Sequence, residues 1–326
     1  MTAVTACTAA PGSPEWLAER RNGIGASEMA VILTDEDGAP INPFASPHAL
    51  WEEKTGRAEG FQGNYPSRRG QHMESFVIAE FAAQNPGYIV ETPPDDLPSI
   101  LAHPDYPIVR CSLDALAHSK AESSVVEAKA ITRRQASEWD HGEVPDYYLV
   151  QVQAQMLVTG LENARIVVDV AGTYEERFIP RNDQFCAHLL EKATQWWQSH
   201  IVEDIEPEWN YASKADRRHI ANWPPSEASK VADPVVIDAD LAEQLRAAKQ
   251  AKKDAETAFA YAAAAVQDQL KTAGAEEGLD PFGNRVATWR GRKGATTIDR
   301  EALKRDGLFD KYSLTGEPGR QFLVSP

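Results

Sequence analysis

The amino-acid sequence predicts an α/β (α+β) fold in which helices flank a central mixed β-sheet. Two observations predict it: apolar residues recur at helical spacing in several segments, and two apolar runs with alternating side chains lie on either side of a short polar turn. A further helical segment and more alternating runs follow, an order that is typical of a mixed sheet with helices packed against it. With 326 residues, the chain is long enough for one large domain and a smaller one.

The N-terminal part is predicted to contain a loose tail and three short helices. Residues 1–13 have neither a basic region nor an apolar core, so they are expected to be a disordered tail and not a signal peptide. A helix is predicted over residues 14–21, and the glycine turn after it leads into a second helix that begins near Ser27. A third helix is predicted over residues 46–55.

Residues 67–84 form the clearest helical pattern in the sequence. Apolar residues follow Glu74 at i+3, i+4 and i+7, which places this acid on the apolar stripe. Burial of an unpaired carboxylate is costly, so Glu74 is expected beside a cation. That cation is either a metal ion or an arginine such as Arg69 or Arg110.

A pair of strands is predicted to carry acidic residues and a lysine. The strands span residues 108–117 and 124–131. Glu127 and Lys129 share one strand face because side chains alternate, and hairpin pairing would place Asp114 beside Glu127. Hard divalent cations prefer carboxylate oxygens, and an adjacent lysine can orient or deprotonate a water. The alternative is an exposed ion pair on a sheet face.

A helix from Pro145 to Gly160 is predicted to follow the hairpin. Tyr148, Gln151 and Gln155 share its polar stripe. The first two could hold a water or a backbone phosphate, whereas the alternative is a solvated helix face. Two strands and a long helix complete a domain that is predicted to span residues 14–205; they cover residues 164–171, 174–179 and 182–202.

Arg20 and Ser27 flank the turn Gly23-Ile24-Gly25. A glycine turn before a helix presents free backbone N–H groups, which suit a phosphate. Arginine adds a bidentate donor and serine adds a hydroxyl. The alternative is an ordinary N-cap serine and a surface arginine.

The C-terminal third differs in composition. Proline, tryptophan and polar residues alternate without a period over residues 206–229, which indicates a linker. Residues 230–326 are predicted to be an accessory region, with a long helix over 239–272 that is typical of a coiled-coil arm. The tail over residues 280–326 is predicted to be strand-rich, with strands at 285–289, 296–298 and 321–324. A role in assembly, a contact of its basic residues with DNA, and a plain accessory domain all stay open.

Composition excludes several classes of protein. The net charge of −16 is unfavourable for a nucleic-acid partner, although a divalent metal would add positive charge where a phosphate must lie. Three scattered cysteines argue against a disulfide framework and against a cysteine-rich metal site. No apolar stretch is long enough to span a bilayer, so a cytoplasmic protein without a membrane partner is expected. The sequence has no P-loop, nucleophile elbow or H-E-x-x-H motif.

Six short motifs occur in one order between residues 14 and 203. They are Trp16-x3-Arg20, Gly23-Ile-Gly-Ala-Ser27, Gly70-x3-Glu74, Asp114, Glu127-x-Lys129 and Tyr148-x2-Gln151-Val-Gln153. This order resembles the YqaJ-like viral recombinase family of lambda-type phage exonucleases, whose fold is the PD-(D/E)xK restriction-endonuclease-like core. Two departures are Ala115, where the family often has glycine, and Ala130, where it often has Cys or Thr.

The resemblance implies a Mg²⁺-dependent 5′-to-3′ exonuclease that digests one strand of duplex DNA and leaves a 3′ overhang; Mn²⁺ is expected to substitute. The implied metal ligands are Asp114, Glu127, the carbonyl of Ala128 and, directly or through water, Glu74. Lys129 would activate the water and Gln151 would shape the active centre. The implied contacts to the 5′ phosphate or the DNA are Arg20, Ser27 and Tyr148.

The implied partners are duplex DNA with a free end, a single-strand annealing protein of the RecT or beta type, and further copies of the chain in a ring-shaped trimer or tetramer. The expected location is the cytoplasm of a bacterium that carries the phage or prophage. Two alternatives stay open: a PD-(D/E)xK nuclease of another kind, such as an endonuclease or a single-strand trimming enzyme, and a non-catalytic DNA-binding scaffold.

Overall fold

The structure is a computed structural model that describes residues 3–58, 63–93, 95–222, 234–294, 298–313 and 324. The chain divides into two compact units, residues 1–221 and 222–326. The predicted mixed α/β class is confirmed, because the first unit combines a mixed sheet with helices.

The first unit alternates helices and strands along the chain. Its strands are β1 (Val4–Cys7), β2 (Ile24–Gly25), β3 (Ile89–Glu91), β4 (Ile100–Ala102), β5 (Val109–Cys111), β6 (Ala115–His118), β7 (Ser123–Ile131), β8 (Asn163–Val170) and β9 (Thr173–Pro180). Its α-helices are α1 (Pro14–Arg21), α2 (Pro47–Lys54), α3 (Tyr65–Gln84), α4 (Asp146–Thr159), α5 (Asp183–Trp196) and α6 (Lys214–Ala221). A 3₁₀ helix spans Ala26–Val31 and another spans Ala136–Gly142, while Trp197–Val202 continues α5 as a π-helix.

The larger sheet has the order β3-β6-β7-β8-β9, with β7 at its centre. β7 pairs antiparallel with β6 and parallel with β8, so the sheet is mixed as predicted. The hairpin register sets Ala115 opposite Val126 and thereby brings Asp114, one residue before β6, to the level of Glu127.

The predicted strand over residues 108–117 is wrong in one respect, because it consists of β5 and β6 in two different sheets. The break lies at residues 112–114. The Ser112 hydroxyl donates to the Ser99 carbonyl (2.8 Å), and the Asp114 carboxylate accepts from the Ala128 N–H (2.8 Å). Such side-chain bonds compete with the strand ladder and turn the chain from one sheet into the other.

Two predicted irregular segments contain regular structure. The disordered tail predicted for residues 1–13 is wrong for Val4–Cys7, which pair antiparallel with β4 as β1. The edge of β4 offers backbone partners that a short run of Val and Thr accepts readily. The linker predicted for residues 206–229 contains α6, and residues 223–229 of that linker lie outside the described residues.

Helices cover both faces of the larger sheet. On one face, α3 buries Val77, Ile78 and Phe81 in a cluster that includes Val126 and Ala128 of β7. On the other face, α4 contributes to a larger core that includes Val125. Full burial of such side chains stabilises the fold by about 1.5–3 kcal/mol each. The predicted alternation of β7 side chains is therefore confirmed, and it fixes the direction in which Glu127 points.

The second unit begins with one long helix. Its elements are α7 (Ala239–Ala273), β10 (Glu277–Leu279), β11 (Arg285–Thr288), α8 (Arg300–Arg305) and α9 (Phe309–Tyr312). α7 confirms the predicted long helix, and β10 and β11 form an antiparallel hairpin. The prediction of a strand-rich tail is wrong where α8 and α9 lie; Asp299 starts α8 by accepting from the Ala302 N–H (2.9 Å).

Most residues of the other predicted tail strands, 296–298 and 321–324, lie outside the described residues. Among the helices that the structure describes, none combines the length and the apolar character needed to cross a membrane.

Candidate active site

A cleft of about 700 Å³ in the first unit contains every residue that the sequence predicts for the site. The nine residues are Arg20, Ser27, Glu74, Asp114, Glu127, Ala128, Lys129, Tyr148 and Gln151. They come from α1, the following 3₁₀ helix, α3, the β5–β6 turn, β7 and α4. The fold thus brings together residues that are up to 131 positions apart, from Arg20 to Gln151.

Asp114 and Glu127 meet where the β6–β7 ladder ends. One carboxylate oxygen of Asp114 accepts from the Ala128 N–H at 2.8 Å, so a side chain replaces the missing backbone partner. This bond fixes Asp114 against the edge of β7. The Ala128 carbonyl belongs to the same short stretch of backbone, between the two predicted functional side chains of β7.

Glu127 is almost fully buried, with 1% of its surface exposed, and three donors surround it. Lys129 and Gln151 donate to one carboxylate oxygen, the amide of Gln151 at 2.6 Å. Gln155 donates to the other oxygen at 2.6 Å and also to the Ser112 carbonyl at 3.2 Å. These contacts hold the carboxylate in one orientation.

Two of the three acidic side chains, Asp114 and Glu74, have a raised pKa. Burial and the nearby charge of Glu127 hold the pKa of Asp114 well above its ordinary value, and the same two causes raise the pKa of Glu74. Burial alone would lower the pKa of Lys129, but Glu127 and Asp114 outweigh it and raise that pKa. One ammonium therefore does not compensate three carboxylates.

Glu74 projects from α3 into the cleft and is half-buried. The arginines considered as its partners bind elsewhere: Arg110 pairs with Glu19, and a guanidinium nitrogen of Arg69 lies 4.0 Å from the Asp169 carboxylate. Glu74 thus faces Lys129 and two other acids and not an arginine.

The donor set fits a hard divalent cation in its chemistry, since it consists of carboxylate and carbonyl oxygens with excess negative charge. The side chains are not yet gathered around one point: among the described residues, no three acidic, His or Cys side chains form a group that could hold an ion. Both oxygens of Glu127 already accept hydrogen bonds from the protein, two at Oε1 and one at Oε2, so an ion would have to share the carboxylate with these donors or displace one of them.

Tyr148 lies over the ammonium of Lys129, with the nitrogen 4.9 Å from the centre of the ring. This contact restricts the position of the ammonium further. Gln153, in the same sequence motif, lies outside the cleft: its amide donates to the Pro180 carbonyl (2.8 Å) and accepts from the Asn182 N–H (2.9 Å). Only Tyr148 and Gln151 of this motif face the predicted site.

The turn that was predicted to bind a phosphate, Gly23-Ile24-Gly25, has a different local structure from the one predicted. The helix after the glycine turn is a 3₁₀ helix whose N-cap is Gly25, and the N–H of Gly25 donates to Glu28 (2.7 Å), so it is not free. Ser27 is exposed in the cleft and is not the N-cap. Gly23 is required for another reason: a Cβ there would lie 2.5 Å from the Ile108 carbonyl oxygen.

Four residues near the site were not predicted from the sequence to have a function. Ser112 lines the cleft, Gln155 binds Glu127, and Glu28 with Lys54 holds Arg20 in place. Gln155 was predicted on the same polar stripe as Gln151, four positions further along the helix, but without a functional role. Nothing in the sequence couples Lys54 to Arg20, because the contact depends on how α2 packs.

Comparison with known proteins identifies what this chain is similar to. Residues 15–162 match the model of the YqaJ-like viral recombinase domain. Over 302 residues the chain is 25% identical to the uncharacterized protein YqaJ of Bacillus subtilis (strain 168), an alignment that covers 91% of this chain and 89% of that protein.

Two solved structures are also similar. An alkaline exonuclease from Laribacter hongkongensis, LHK-Exo, has a TM-score of 0.48 and 21% identity over 59% of this chain and 94% of its own. A phage-related exonuclease from Haemophilus somnus 129PT has a TM-score of 0.40 and 10% identity over 56% of this chain and 96% of its own.

The mixed sheet presents one acid before a hairpin and an acid-x-lysine triplet on its central strand, the arrangement that the sequence predicted for a PD-(D/E)xK-type core. The match to the family model is more specific, and it confirms the resemblance that the motifs indicated. The chain is thus similar to YqaJ-like viral recombinase domains over residues 15–162.

Proposed function

We propose that this protein is a metal-dependent deoxyribonuclease that digests one strand of duplex DNA from a 5′ end and leaves a 3′ overhang for homologous recombination. The observation that supports it is the convergence of Asp114, Glu127 and Lys129 with Arg20 in one cleft. The first three can prepare a phosphodiester for hydrolysis, while Arg20 can bind the phosphate at the strand end.

The chain's own residues would position the reactants. Glu127 is fixed by Gln151 and Gln155, and Lys129 contacts both Glu127 and the ring of Tyr148. A lysine held in this way can orient a water for attack or donate to a developing negative charge. The half-buried Glu74 of α3 also lines the cleft.

Mg²⁺ is the proposed cofactor, with Mn²⁺ as a substitute, and its proposed ligands are Asp114, Glu127, Glu74 and the carbonyl of Ala128. Such an ion polarises a phosphoryl oxygen and lowers the pKa of a bound water. Its charge would also offset the excess negative charge of the cluster and the acidity of the whole chain (net charge −16).

The proposed partners are duplex DNA with a free end, a single-strand annealing protein of the RecT or beta type, and further copies of the chain in a ring-shaped trimer or tetramer. The proposed location is the cytoplasm of a bacterium that carries the phage or prophage. Enclosure of the duplex by a ring would hold the substrate without many phosphate contacts, which suits an acidic protein.

A time course on linear duplexes tests the proposal. The ends carry a 5′ phosphate, a 5′ hydroxyl or a closed hairpin, and each reaction contains either Mg²⁺ or a chelator. We expect rapid, Mg²⁺-dependent loss of one strand from phosphorylated ends and none from hairpin ends. Cleavage inside the hairpin-capped duplex would indicate an endonuclease, and binding without hydrolysis in any metal would indicate a scaffold.

A further inference from the structure

Arg20 enters the cleft under strong restraint. One of its terminal nitrogens donates to the Glu28 carboxylate at 2.6 Å, and its guanidinium carbon lies 5.0 Å from the centre of the Trp16 ring. A third of the side chain stays exposed. The guanidinium thus has a fixed orientation and an accessible edge, as a phosphate contact requires.

Glu28 is in turn held by a lysine that does not reach the cleft. Its second carboxylate oxygen accepts from the Lys54 ammonium (2.7 Å) and from the Gly25 N–H (2.7 Å). The Lys54 side chain is fully buried, and its ammonium also donates to the backbone carbonyl of Arg20 at 2.8 Å. Lys54 therefore binds both the carboxylate that orients Arg20 and the backbone that carries it.

The charges of this trio explain why a lysine is needed there. Arg20 and Glu28 alone would form a neutral pair, and the carboxylate would cancel much of the attraction between the guanidinium and a phosphate. Glu53 adds a weaker negative field at Arg20. Within the trio itself, Lys54 and Arg20 are two cations beside one anion, so these three residues carry a net charge of +1, and Arg20 is the most exposed of them.

We propose that Lys54 is a positioning residue for recognition of a strand-terminal phosphate: it neutralises Glu28 so that Arg20, although ion-paired, keeps its attraction for the 5′ phosphate. This inference rests on the proposed function, because it concerns the substrate end that Arg20 would bind. Lys54 itself touches neither the DNA nor the reacting atoms.

A charge-restoring pair of variants tests the proposal. The measurement is equilibrium binding of a fluorescent duplex that carries either a 5′ phosphate or a 5′ hydroxyl, in chelator, expressed as the ratio of the two dissociation constants. Both constants come from one preparation, so the ratio does not depend on the active fraction. Lys54→Met gives a neutral Arg20–Glu28 pair, whereas Lys54→Met combined with Glu28→Gln restores +1. Lys120→Met, an exposed lysine outside the cleft, is the control.

We expect the wild type to bind the 5′-phosphorylated duplex more tightly than the 5′-hydroxyl duplex. Lys54→Met should reduce this preference about fivefold, which is the scale of one partly exposed charge pair. The double variant should recover most of the preference. Retained preference in Lys54→Met overturns the inference. So does a folded double variant without recovery, because that result indicates a merely structural lysine. If Lys54→Met does not fold, the double variant decides alone. A wild type that binds both ends equally refutes end recognition itself, which is a different failure.

Discussion

The molecule contains two buried glutamates that each contact a lysine, and their surroundings differ. Glu28 has two cations, Lys54 and Arg20; burial alone would raise its pKa, but these cations outweigh it and hold the pKa at about 2. Glu127 has Lys129 and two amides, and its acidic neighbours have raised pKa values. The first cluster carries a net charge of +1, whereas the second carries −2 when its groups are ionised.

The two clusters differ in whether cations of the protein compensate the buried negative charge. Buried charge is tolerated when it is paired, and Glu28 meets that condition within the protein. The cluster around Glu127 does not, although the chain has 33 basic residues that could have been placed there. This excess negative charge supports the proposal that a cation binds there.

The largest expected effect is the loss of hydrolysis when Lys129, the lysine that contacts Glu127, is replaced. Lys129→Ala should reduce single-turnover hydrolysis of phosphorylated duplex by about 10³-fold, since it removes the group that is proposed to orient the water, while duplex binding in chelator stays within about twofold. Lys120→Ala, an exposed lysine on the β6–β7 turn, is the matched control and should hydrolyse normally. Near-normal hydrolysis by Lys129→Ala would remove this lysine from the chemistry.

The second prediction concerns acid stability. The pKa of Glu28 lies below its unfolded value, so its contribution is complete above about pH 4.5 and is lost as the pH falls toward about 2. Glu28→Gln should therefore lower the free energy of unfolding by about 3 kcal/mol at pH 6, and the gap to wild type should close in acid. Urea denaturation from pH 6 to pH 3 measures it. A gap that is constant with pH would show that Glu28 acts through packing and not through its charge.

The third prediction tests whether the cluster around Glu127 accepts an ion. Millimolar Mg²⁺ should stabilise the wild type by about 2 kcal/mol, measured as a rise in melting temperature without DNA. Asp114→Asn should abolish most of this rise because it removes a proposed ligand. Glu28→Gln should keep the rise, and loss of the response in that variant too would place the ion effect outside the predicted site.

The smallest effect concerns Gly70, which lies inside α3 and lines the cleft. A Cβ there would meet no atom within 4 Å, so Gly70→Ala should stabilise the fold by about 1 kcal/mol through helix propensity. If the bare helix surface serves the approach of DNA, the same change should weaken duplex binding. A more stable protein with unchanged binding would assign Gly70 no role in the cleft.

The parts of the fold that depend on local patterns were predictable from the sequence. α3, α4 and the β6–β7 hairpin follow from periodicity and turn residues, and the nine predicted site residues lie in one cleft. The break between β5 and β6 was missed, because it depends on hydrogen bonds of Ser112 and Asp114 to backbone that is distant in sequence.

Contacts between distant elements were not predictable. β1 forms only because β4 offers an edge, and Lys54 reaches Arg20 only because α2 packs beside the 3₁₀ helix. The apolar pattern of α2 gave no reason to expect its lysine inside the protein. Tertiary packing therefore decides which charged residues support the site, whereas the sequence identifies those that line it.

The hydrogen bond between Asp114 and the Ala128 N–H gives the site a built-in reporter. That amide bonds a carboxylate and not a neighbouring strand, so its deuterium exchange rate and proton chemical shift depend directly on the state of Asp114. Isotope-labelled protein would make any change at this carboxylate visible at a single backbone resonance, without substrate and without turnover.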